Sequence, residues 1–302
     1  MRLRLLQISW RLLLIIIFMG ILYGQVTSDY VYKGSRSAAL AGSGGATIGN
    51  AWAVFNNPAA LSRIQSMEGF LSHHQLFGQS FLPYFATAVG VPLPGSLGSA
   101  GVGLEQMSIS YGGNNLSSES ALFFSHGFHL QKDFYSTLAF GYSIKYLQLD
   151  YGMSAGLSGD GSDGISLGTG STIGVDVGLQ ASRRERHWIG VFVLNINRPK
   201  IGKGSSSTQL PQRLQMAFGY SPYTEVWSLF TITKAANHET QYHAGIEYYL
   251  FENVRLMFGG HTVPNKFGAG ASFNFKGITL DYGLLTHPVL PLTHQFSIGI
   301  KR

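Results

Sequence analysis

Residues 172–180 read "TIGVDVGLQ", a segment with a strict period of two. Every second residue is apolar and the residues between are glycine or polar; the apolar ones are Ile173, Val175, Val177 and Leu179. Successive side chains of a β-strand point to opposite faces of a sheet, so this spacing predicts a strand with one apolar face. The same split recurs at 213–220 and 278–284.

The same alternation of apolar and polar residues divides the chain after residue 66 into fourteen predicted strands. They cover 67–77, 84–92, 99–111, 118–130, 134–149, 170–181, 187–197, 212–221, 225–233, 240–250, 254–262, 267–275, 277–286 and 293–301. Most are close to the ~9–11 residues with which a tilted strand crosses a bilayer, and longer than the ~5–6 residues of a typical soluble strand.

The connections between these strands separate into two kinds. Those after the second, fourth, eighth, tenth and twelfth strands are tight, whereas those after the fifth and seventh are the longest, at 150–169 and 198–211. Short turns on one side and longer loops on the other are typical of outer-membrane barrels, and a soluble sandwich gives no reason for this parity. The sequence therefore predicts an all-β fold, a transmembrane antiparallel β-barrel of about 14 strands.

The composition is that of a chain with an apolar face to bury and few charges with which to face water. Of 302 residues, 45% are hydrophobic and only 12% are charged, about half the charged share of an ordinary soluble domain. The net charge of +6 comes from scattered basic residues, so no nucleic-acid partner is predicted. With no cysteine, the chain has neither disulfides nor thiolate metal ligands.

The first 66 residues differ from the rest. Arg2 and Arg4 give a positive start, residues 12–22 are mostly apolar, and Gly24 is small, which is the layout of a secretory signal peptide at 1–24. Residues 25–66 are then rich in Gly, Ala and Ser and lack the period of two, whereas 67–302 carry the predicted barrel. A signal peptide before a barrel predicts the outer membrane of a two-membrane bacterium, with outer-membrane lipid around the chain.

Two sets of side chains have predicted places in such a barrel. Aromatic residues near strand ends would form girdles at the membrane surfaces: Tyr111, Tyr142, Tyr146, Trp188, Tyr220, Trp227 and Tyr249. Charged residues on the polar side of their strands would face the lumen: Lys145, Asp176, Arg213, Glu247, Arg255 and Asp281. Charges of both signs can form an ion-paired interior, grip a plug or line a polar path, and the sequence leaves these alternatives open.

Three short patterns resemble chemical sites, and none fits its context. Residues 164–168 match Gly-x-Ser-x-Gly, but the hydrolase elbow needs a strand-to-helix turn and no helix follows. Asp160 and Asp163 lack the acidic spacing of a calcium loop. Residues 42–45 lack the strand and helix that flank a dinucleotide-binding glycine loop. We therefore expect no catalytic residue, no metal and no cofactor, and a chain that is not an enzyme.

Residues 35–61, "SRSAALAGSGGATIGNAWAVFNNPAAL", resemble the start of mature FadL-like outer-membrane proteins, and more closely of the PorV/PorQ group. The matching residues are Arg36, Ala38, Ala39, Gly42, Gly44, Gly45, Asn57, Pro58, Ala59 and Leu61. Later segments such as "LPQRLQMAFGY" and "QYHAGIEYYLFENVRLMFGG" look like strands of the same group in the same order. The resemblance implies a fourteen-strand barrel with an N-terminal hatch, residues 25–66, folded into its lumen.

Within the hatch, Asn57-Pro58 predicts the start of a short helix. Asn is a strong N-cap residue, Pro suits the first helical position and alanines continue a helix at low cost. This helix would turn the hatch toward the first strand, with Val54 and Phe55 packed inside the wall.

The resemblance implies two alternative functions. As in the PorV/PorQ group, the chain would be an accessory or protein-binding component of protein export across the outer membrane, of the type IX kind, with secretion-system proteins or exported cargo as partners. Alternatively, it would be a FadL-like passive channel for hydrophobic small molecules, in which the hatch closes the lumen. That second function needs an apolar pocket between hatch and wall, for which the local candidates are Trp52, Val54, Phe55 and Leu61.

Overall fold

The structure, a computed structural model, describes residues 31–111, 114–154, 156, 157, 159, 163–202 and 207–302. The predicted signal peptide, hatch residues 25–30 and Asp160 lie outside the described residues. Within these described ranges, no helix is both long enough and apolar enough to cross a membrane.

The strands form one closed antiparallel barrel and one small hairpin. The barrel contains β1 (Glu68–Gln75), β2 (Pro83–Pro92), β3 (Ser99–Tyr111), β4 (Asn114–Lys132), β5 (Ser136–Asp150), β6 (Thr169–Arg183), β7 (His187–Leu194), β10 (Arg213–Tyr223), β11 (Val226–Ala235), β12 (Gln241–Phe251), β13 (Val254–His261), β14 (Lys266–Phe275), β15 (Ile278–Leu285) and β16 (Thr293–Lys301). The two-residue strands β8 (Lys200–Ile201) and β9 (Thr208–Gln209) pair with each other in the connection between β7 and β10. Strand β16 pairs with β1 and closes the barrel.

The fourteen predicted strands are all present, and most of their bounds agree with the structure to within two residues. Strand β4 is longer than predicted because it continues pairing with β3 toward Asn114. Strand β7 ends at Leu194 instead of residue 197, because Asn195 has a φ of 55° and this left-handed conformation leaves the strand. The loop predicted at 198–211 carries the β8–β9 hairpin, which is too short to show a period of two.

The alternation in sequence corresponds to an inner and an outer face of the wall. On β16 the outward Phe296, Ile298 and Ile300 are 61%, 43% and 59% exposed, whereas Gln295 and Ser297 between them are buried. In hydrocarbon every backbone N–H and C=O needs a partner, and a closed sheet supplies one for each strand. The apolar outer face and the closed sheet confirm the predicted transmembrane barrel.

The two ends of the barrel differ in their connections. At one end the links are 93–98, 133–135, 184–186, 224–225, 252–253 and 276–277, and the chain terminus after β16 lies at the same end. We call this the tight-turn end. The opposite, long-loop end carries 76–82, 151–168, 195–212 and 286–292. In outer-membrane barrels short turns face the periplasm and longer loops face outside, which orients this chain.

The described part of the hatch, residues 31–66, folds inside the barrel as four short helical segments. These are Ser35–Ala39, Ser43–Ala46, Ala53–Asn56 and Pro58–Arg63. The predicted cap is confirmed, since Asn57 Oδ1 accepts a hydrogen bond of 3.1 Å from Ala59 N and Pro58 takes the first position. The segment that follows is a 3-10 helix, and it leads into β1 at Glu68.

Glycines on the inner wall let the hatch backbone approach closely. A Cβ on Gly141 would meet the backbone of Pro58 and Ala59, and one on Gly268 would meet the carbonyl oxygens of Ala38 and Ala39. Because any side chain at these positions would push against backbone, glycine is required where hatch and wall touch. The hatch is therefore seated in the wall rather than lying loosely in a wide pore.

Candidate functional site

The hatch meets the wall through two chemically different surfaces. The apolar side consists of Trp52, Val54, Phe55, Leu61 and Ile64 of the hatch, against strands β1 to β5. The polar side consists of the first half of the hatch, Ser35 to Thr47, against β10 to β16. The hatch is thus held mainly by packing against β1 to β5 and mainly by hydrogen bonds and ion pairs against β10 to β16. The ion pair of Lys33 with Glu105 of β3 is a polar contact on the packed side.

On the apolar side, aromatic rings of the hatch and wall pack against each other, Phe55 edge to face with Phe123 and Trp52 in a tilted arrangement with Phe70. Phe55 and Phe123 have centroids 4.9 Å apart, and Trp52 lies 5.9 Å from Phe70. The same buried cluster continues over inward residues toward the long-loop end: Met107, Leu147, Leu149, Ile201 and Leu210. This closely packed cluster, which we call the apolar lumen surface, extends from the long-loop end down to the hatch. It includes all four hatch residues that the sequence named for an apolar pocket.

On the polar side, one carboxylate holds two guanidinium groups. Arg36 Nε donates to Glu247 Oε1 at 2.6 Å, and Arg255 Nη1 lies 3.8 Å from the same oxygen. Arg36 also donates from Nη2 to Thr47 Oγ1 at 2.7 Å, a hydrogen bond within the hatch. A buried carboxylate is stable only with partners of this kind, so Glu247 fixes the hatch to strand β12.

Further hydrogen bonds on this side join hatch backbone to wall side chains. Ser35 N donates to Ser297 Oγ at 2.9 Å, and Thr231 Oγ1 donates to the Ser43 carbonyl at 2.9 Å. His243 Nδ1 donates to the Ala41 carbonyl at 2.7 Å. These bonds satisfy hatch backbone groups that would otherwise be buried without partners.

The hatch residues singled out by the sequence lie along both sides. Gly42, with a φ of 83°, leaves room for Tyr32, and Gly44 lies under Arg36, whose Nη1 would be 3.0 Å from an added Cβ. Gly45 packs against Ala217 of β10. The remaining residues, Asn57, Pro58, Ala59 and Leu61, are buried against β3 to β6.

The six charged residues predicted for the lumen lie on the inner face of the wall, but they do not form one site. Lys145 Nζ and Asp176 Oδ2 are 3.5 Å apart at buried positions, remote in sequence from the Arg255 and Glu247 pair. Asp281 is buried between Ser272 and Ser297 on neighbouring strands. Arg213 begins β10 at the long-loop end.

Sequence reasoning missed other members of the interior. Lys33 Nζ pairs with Glu105 Oε2 at 3.2 Å, and Tyr84 donates to the same oxygen at 2.6 Å. Of the aromatic residues predicted for the outer girdles, Tyr142, Tyr146 and Tyr220 face outward, but the structure corrects Trp188, Trp227 and Tyr249, which face the lumen. The alternation along each strand could have predicted this position. On β7, for example, Ile189 faces outward, so its neighbour Trp188 faces the lumen.

A chamber of about 220 Å³ separates the hatch from the wall at the tight-turn end. Its lining, which we call the arginine chamber, comprises Arg36, Thr47, Ile48, Gly49, Asn50 and Arg63 of the hatch and Trp188, Trp227, Glu247, Tyr249 and Arg255 of the wall. The Arg63 guanidinium lies 4.0 Å over the Trp188 ring and donates from Nη1 to the carbonyls of Thr47 and Ile48. Burial, and after it the charge of Arg36, lower the pKa of Arg63 to about 10.

The three enzyme-like patterns do not assemble sites. Ser166 forms an isolated bridge with Met153, and strand β6 follows it instead of the helix that a hydrolase elbow requires. Asp163 Oδ2 accepts from Leu157 N at 3.0 Å, and its predicted companion Asp160 is outside the described residues. Residues 42–45 fall within the hatch turn at Ser43–Ala46. Over the described chain, no group of three or more potential metal ligands is present.

Comparisons with known proteins agree with this fold. No family model matches the sequence, and no curated protein sequence matches it. Among solved structures, the Ralstonia pickettii toluene transporter TbuX is similar at a TM-score of 0.62 and 12% identity, covering 89% of this chain and 98% of that chain. The P. putida toluene transporter TodX has a TM-score of 0.60 at 13% identity, and a Pseudomonas aeruginosa FadL homologue 0.56 at 10%, each with the same coverage.

At sequence identities of 10% to 13%, the likeness to these structures shows a shared fold. Two of the similar structures are described as toluene transporters. The closed sheet with its apolar outer face is the architecture of bacterial outer-membrane proteins, so the predicted outer-membrane location is confirmed. The chain therefore has the fourteen-strand barrel fold shared with FadL-like outer-membrane transporters.

Proposed function

We propose that this chain is a passive outer-membrane channel for small hydrophobic molecules, closed by the hatch. The observation that carries the proposal is the apolar lumen surface that runs from Leu149 and Ile201 at the long-loop end to Phe55 and Trp52 of the hatch. A water-filled pore would line this region with polar groups, because an apolar wall gains nothing from contact with water. A hydrophobic solute, in contrast, gains free energy along the whole surface.

The asymmetry of the hatch suggests how it opens. Moving Val54 and Phe55 away from the wall breaks packing contacts, which a hydrophobic solute entering the gap replaces. Moving Arg36 away from Glu247 would leave buried charges without partners, which costs several kcal/mol. The hatch therefore swings out on the apolar side while the polar side holds it.

The structural likeness to TbuX and TodX, described as toluene transporters, suggests monoaromatic hydrocarbons as the first solutes to test. Cells that lack their own hydrocarbon channels would be supplied with this chain, and the uptake of radiolabelled toluene and of a disaccharide would be measured. We expect faster toluene uptake and unchanged disaccharide uptake. Toluene uptake equal to that of cells without the chain would refute the channel.

A role in protein export, implied by the resemblance to the PorV/PorQ group, is the second candidate. It is supported by the ion pairs and hydrogen bonds that fix the hatch in the lumen, because a protein with an accessory role in export does not need an open lumen. Cross-linking and mass spectrometry of isolated outer membranes would separate the two functions. Specific capture of secretion proteins, together with normal toluene uptake after deletion of the chain, would favour export over the channel.

A further inference from the structure

The arginine chamber has a lining that the proposed channel does not use. It lies at the tight-turn end, because Trp188, Trp227 and Arg255 are each the second residue of a strand that starts there. The apolar lumen surface reaches the hatch from the opposite end. Solutes would therefore enter this chamber from the periplasm, independently of whether the lumen conducts.

The charges of this lining are unequal. The lining contains three guanidinium groups, those of Arg36, Arg63 and Arg255, and one carboxylate, Glu247, which pairs with Arg36 and Arg255 but not with Arg63. Two further carboxylates act on them from outside the lining: Asp281 on Arg36 and Arg255, and Glu185 on Arg63. These two carboxylates balance the charge of the wider region, so the excess of positive charge is confined to the residues that line the chamber.

Unused hydrogen-bond donors accompany this charge. Within the described part of the chain, no carboxylate lies within ion-pairing distance of Arg63, whose Nη1 alone is engaged, with two carbonyls. The buried Nε of Arg255 also has no hydrogen-bond partner among the described residues. A buried donor without a partner is costly. Arg63 therefore has donor capacity for an acceptor that enters the chamber, whereas Arg255 Nε is reached only if its side chain shifts.

We propose that the arginine chamber binds a small aromatic carboxylate that enters from the periplasmic side. The planar guanidinium fork matches a carboxylate, and the ring of Trp227 offers a flat apolar face to an aromatic ring. The rings of Trp188 and Tyr249 already lie beneath the guanidinium groups of Arg63 and Arg255, and they hold those two groups in the lining. A volume of 220 Å³ equals that of about seven waters, enough for a single six-membered ring with its carboxylate. Glu247 stays paired with Arg36 and Arg255, and the carboxylate binds Arg63, with the positive charge of Arg255 in the same lining.

Benzoate is the probe for this site, with benzamide as its neutral counterpart of the same shape and inorganic phosphate as an anion without a ring. Trp188 and Trp227 line the chamber, so the tryptophan emission of the purified protein in a non-ionic detergent reports binding. We expect saturable quenching by benzoate and at least a tenfold weaker effect of benzamide and phosphate. Equal affinity for benzoate and benzamide, tighter binding of phosphate, or no saturable binding of benzoate would each overturn the proposal.

Two substitutions at one residue test the role of the guanidinium. Arg63→Gln removes the charge and should weaken benzoate binding about tenfold, as expected for one charge-assisted hydrogen bond. Arg63→Lys keeps the charge without the fork and should weaken it less. The matched control is Arg184→Gln, an exposed arginine at the same end that does not line the chamber.

If Arg63→Gln displaces the hatch, the variant becomes sensitive to trypsin. In that case Arg255→Gln, a substitution in the wall, is used instead of Arg63→Gln in the same benzoate titration. Benzoate affinity that is unchanged in both glutamine variants, or equally reduced in Arg184→Gln, would refute the assignment. Toluene uptake gives an independent readout: its failure would refute the channel and leave the benzoate site untouched.

Discussion

The two sides of the hatch are held by different forces. On the apolar side, Val54 and Phe55 pack against inward glycines and Phe123, and the ion pair of Lys33 with Glu105 joins only the start of the described hatch to β3. On the polar side, Arg36 and Ser35 are fixed by a buried carboxylate and a serine hydroxyl at distances of 2.6 and 2.9 Å. Packing against an apolar wall can be replaced by an apolar solute, whereas a buried ion pair has no such substitute.

The comparison predicts that damage to the polar side frees the hatch, whereas damage to the apolar side changes its fit. Lys33, Arg36 and Arg63 are trypsin sites within the hatch, so its cleavage rate in detergent reports how often it opens. The following substitutions are ordered by the expected size of their effect on that rate.

Glu247→Gln should have the largest effect. It leaves Arg36 and Arg255 without their shared carboxylate, at a cost of about 3 kcal/mol, which raises cleavage about a hundredfold. The control Glu252→Gln makes the same change at an exposed turn position after the same strand. A cleavage rate for Glu247→Gln equal to that of Glu252→Gln would contradict anchoring by the polar side.

Gly141→Ala comes next. The new Cβ meets the backbone of Pro58 and Ala59, and overpacking of this kind costs about 2 kcal/mol. Cleavage should rise by more than tenfold. Gly69→Ala is the matched control, because the nearest atoms to its Cβ, at 3.8 and 3.9 Å, belong to strand β2. Equal behaviour of the two alanine variants would show that the hatch is not seated against Gly141.

Asn57→Leu should have a smaller effect. It removes the cap to Ala59 N and the bond from Asn57 Nδ2 to the Leu179 carbonyl, 3.0 Å away, at a cost of about 1 kcal/mol for the cap. Trypsin cleavage should rise about fivefold. An unchanged rate would mean that this cap does not hold the hatch.

Pro58→Ala should have the smallest effect. Alanine fits the same helical position, and the loss of proline mainly adds freedom to the unfolded chain, at about 0.5 kcal/mol. The cleavage rate should stay within about threefold of the unsubstituted protein. A rise as large as that of Gly141→Ala would show that the proline ring itself fills a necessary contact.

The barrel could be predicted from the sequence because its signal is local. An inward residue and its outward neighbour are adjacent in the chain, so a period of two marks each strand directly, as in residues 172–180. The Asn57 cap was likewise predictable, since its donor is only two residues away. The signal failed where local conformation changed, at left-handed Asn195, and where strands were very short, at β8 and β9.

The site could be predicted only in part. Inward charges such as Glu247 follow from alternation, but its partner Arg36 is 211 residues away and no local pattern links them. The same holds for Gly141 and the backbone of Pro58. Trp188 and Trp227 were assigned to the outer girdle because aromatic residues near strand ends are typical there, whereas their inward parity decides their position.

Two cross-links test the central claim, that hydrophobic solutes pass where the hatch leaves the apolar side of the wall. The chain has no cysteine, so introduced pairs are unambiguous. Val54→Cys with Gly103→Cys joins hatch and wall on the apolar side, where a Cβ at 103 would lie 2.7 Å from Val54 Cγ1. Ser35→Cys with Ser297→Cys does the same on the polar side, where the hydroxyl oxygens are 2.7 Å apart.

The most direct measurement is the uptake of radiolabelled toluene by cells carrying each oxidised pair, before and after reduction. We expect the apolar-side cross-link to stop toluene uptake and reduction to restore it. We expect the polar-side cross-link to leave toluene uptake unchanged. Full uptake through the oxidised Val54→Cys and Gly103→Cys variant would contradict the central claim.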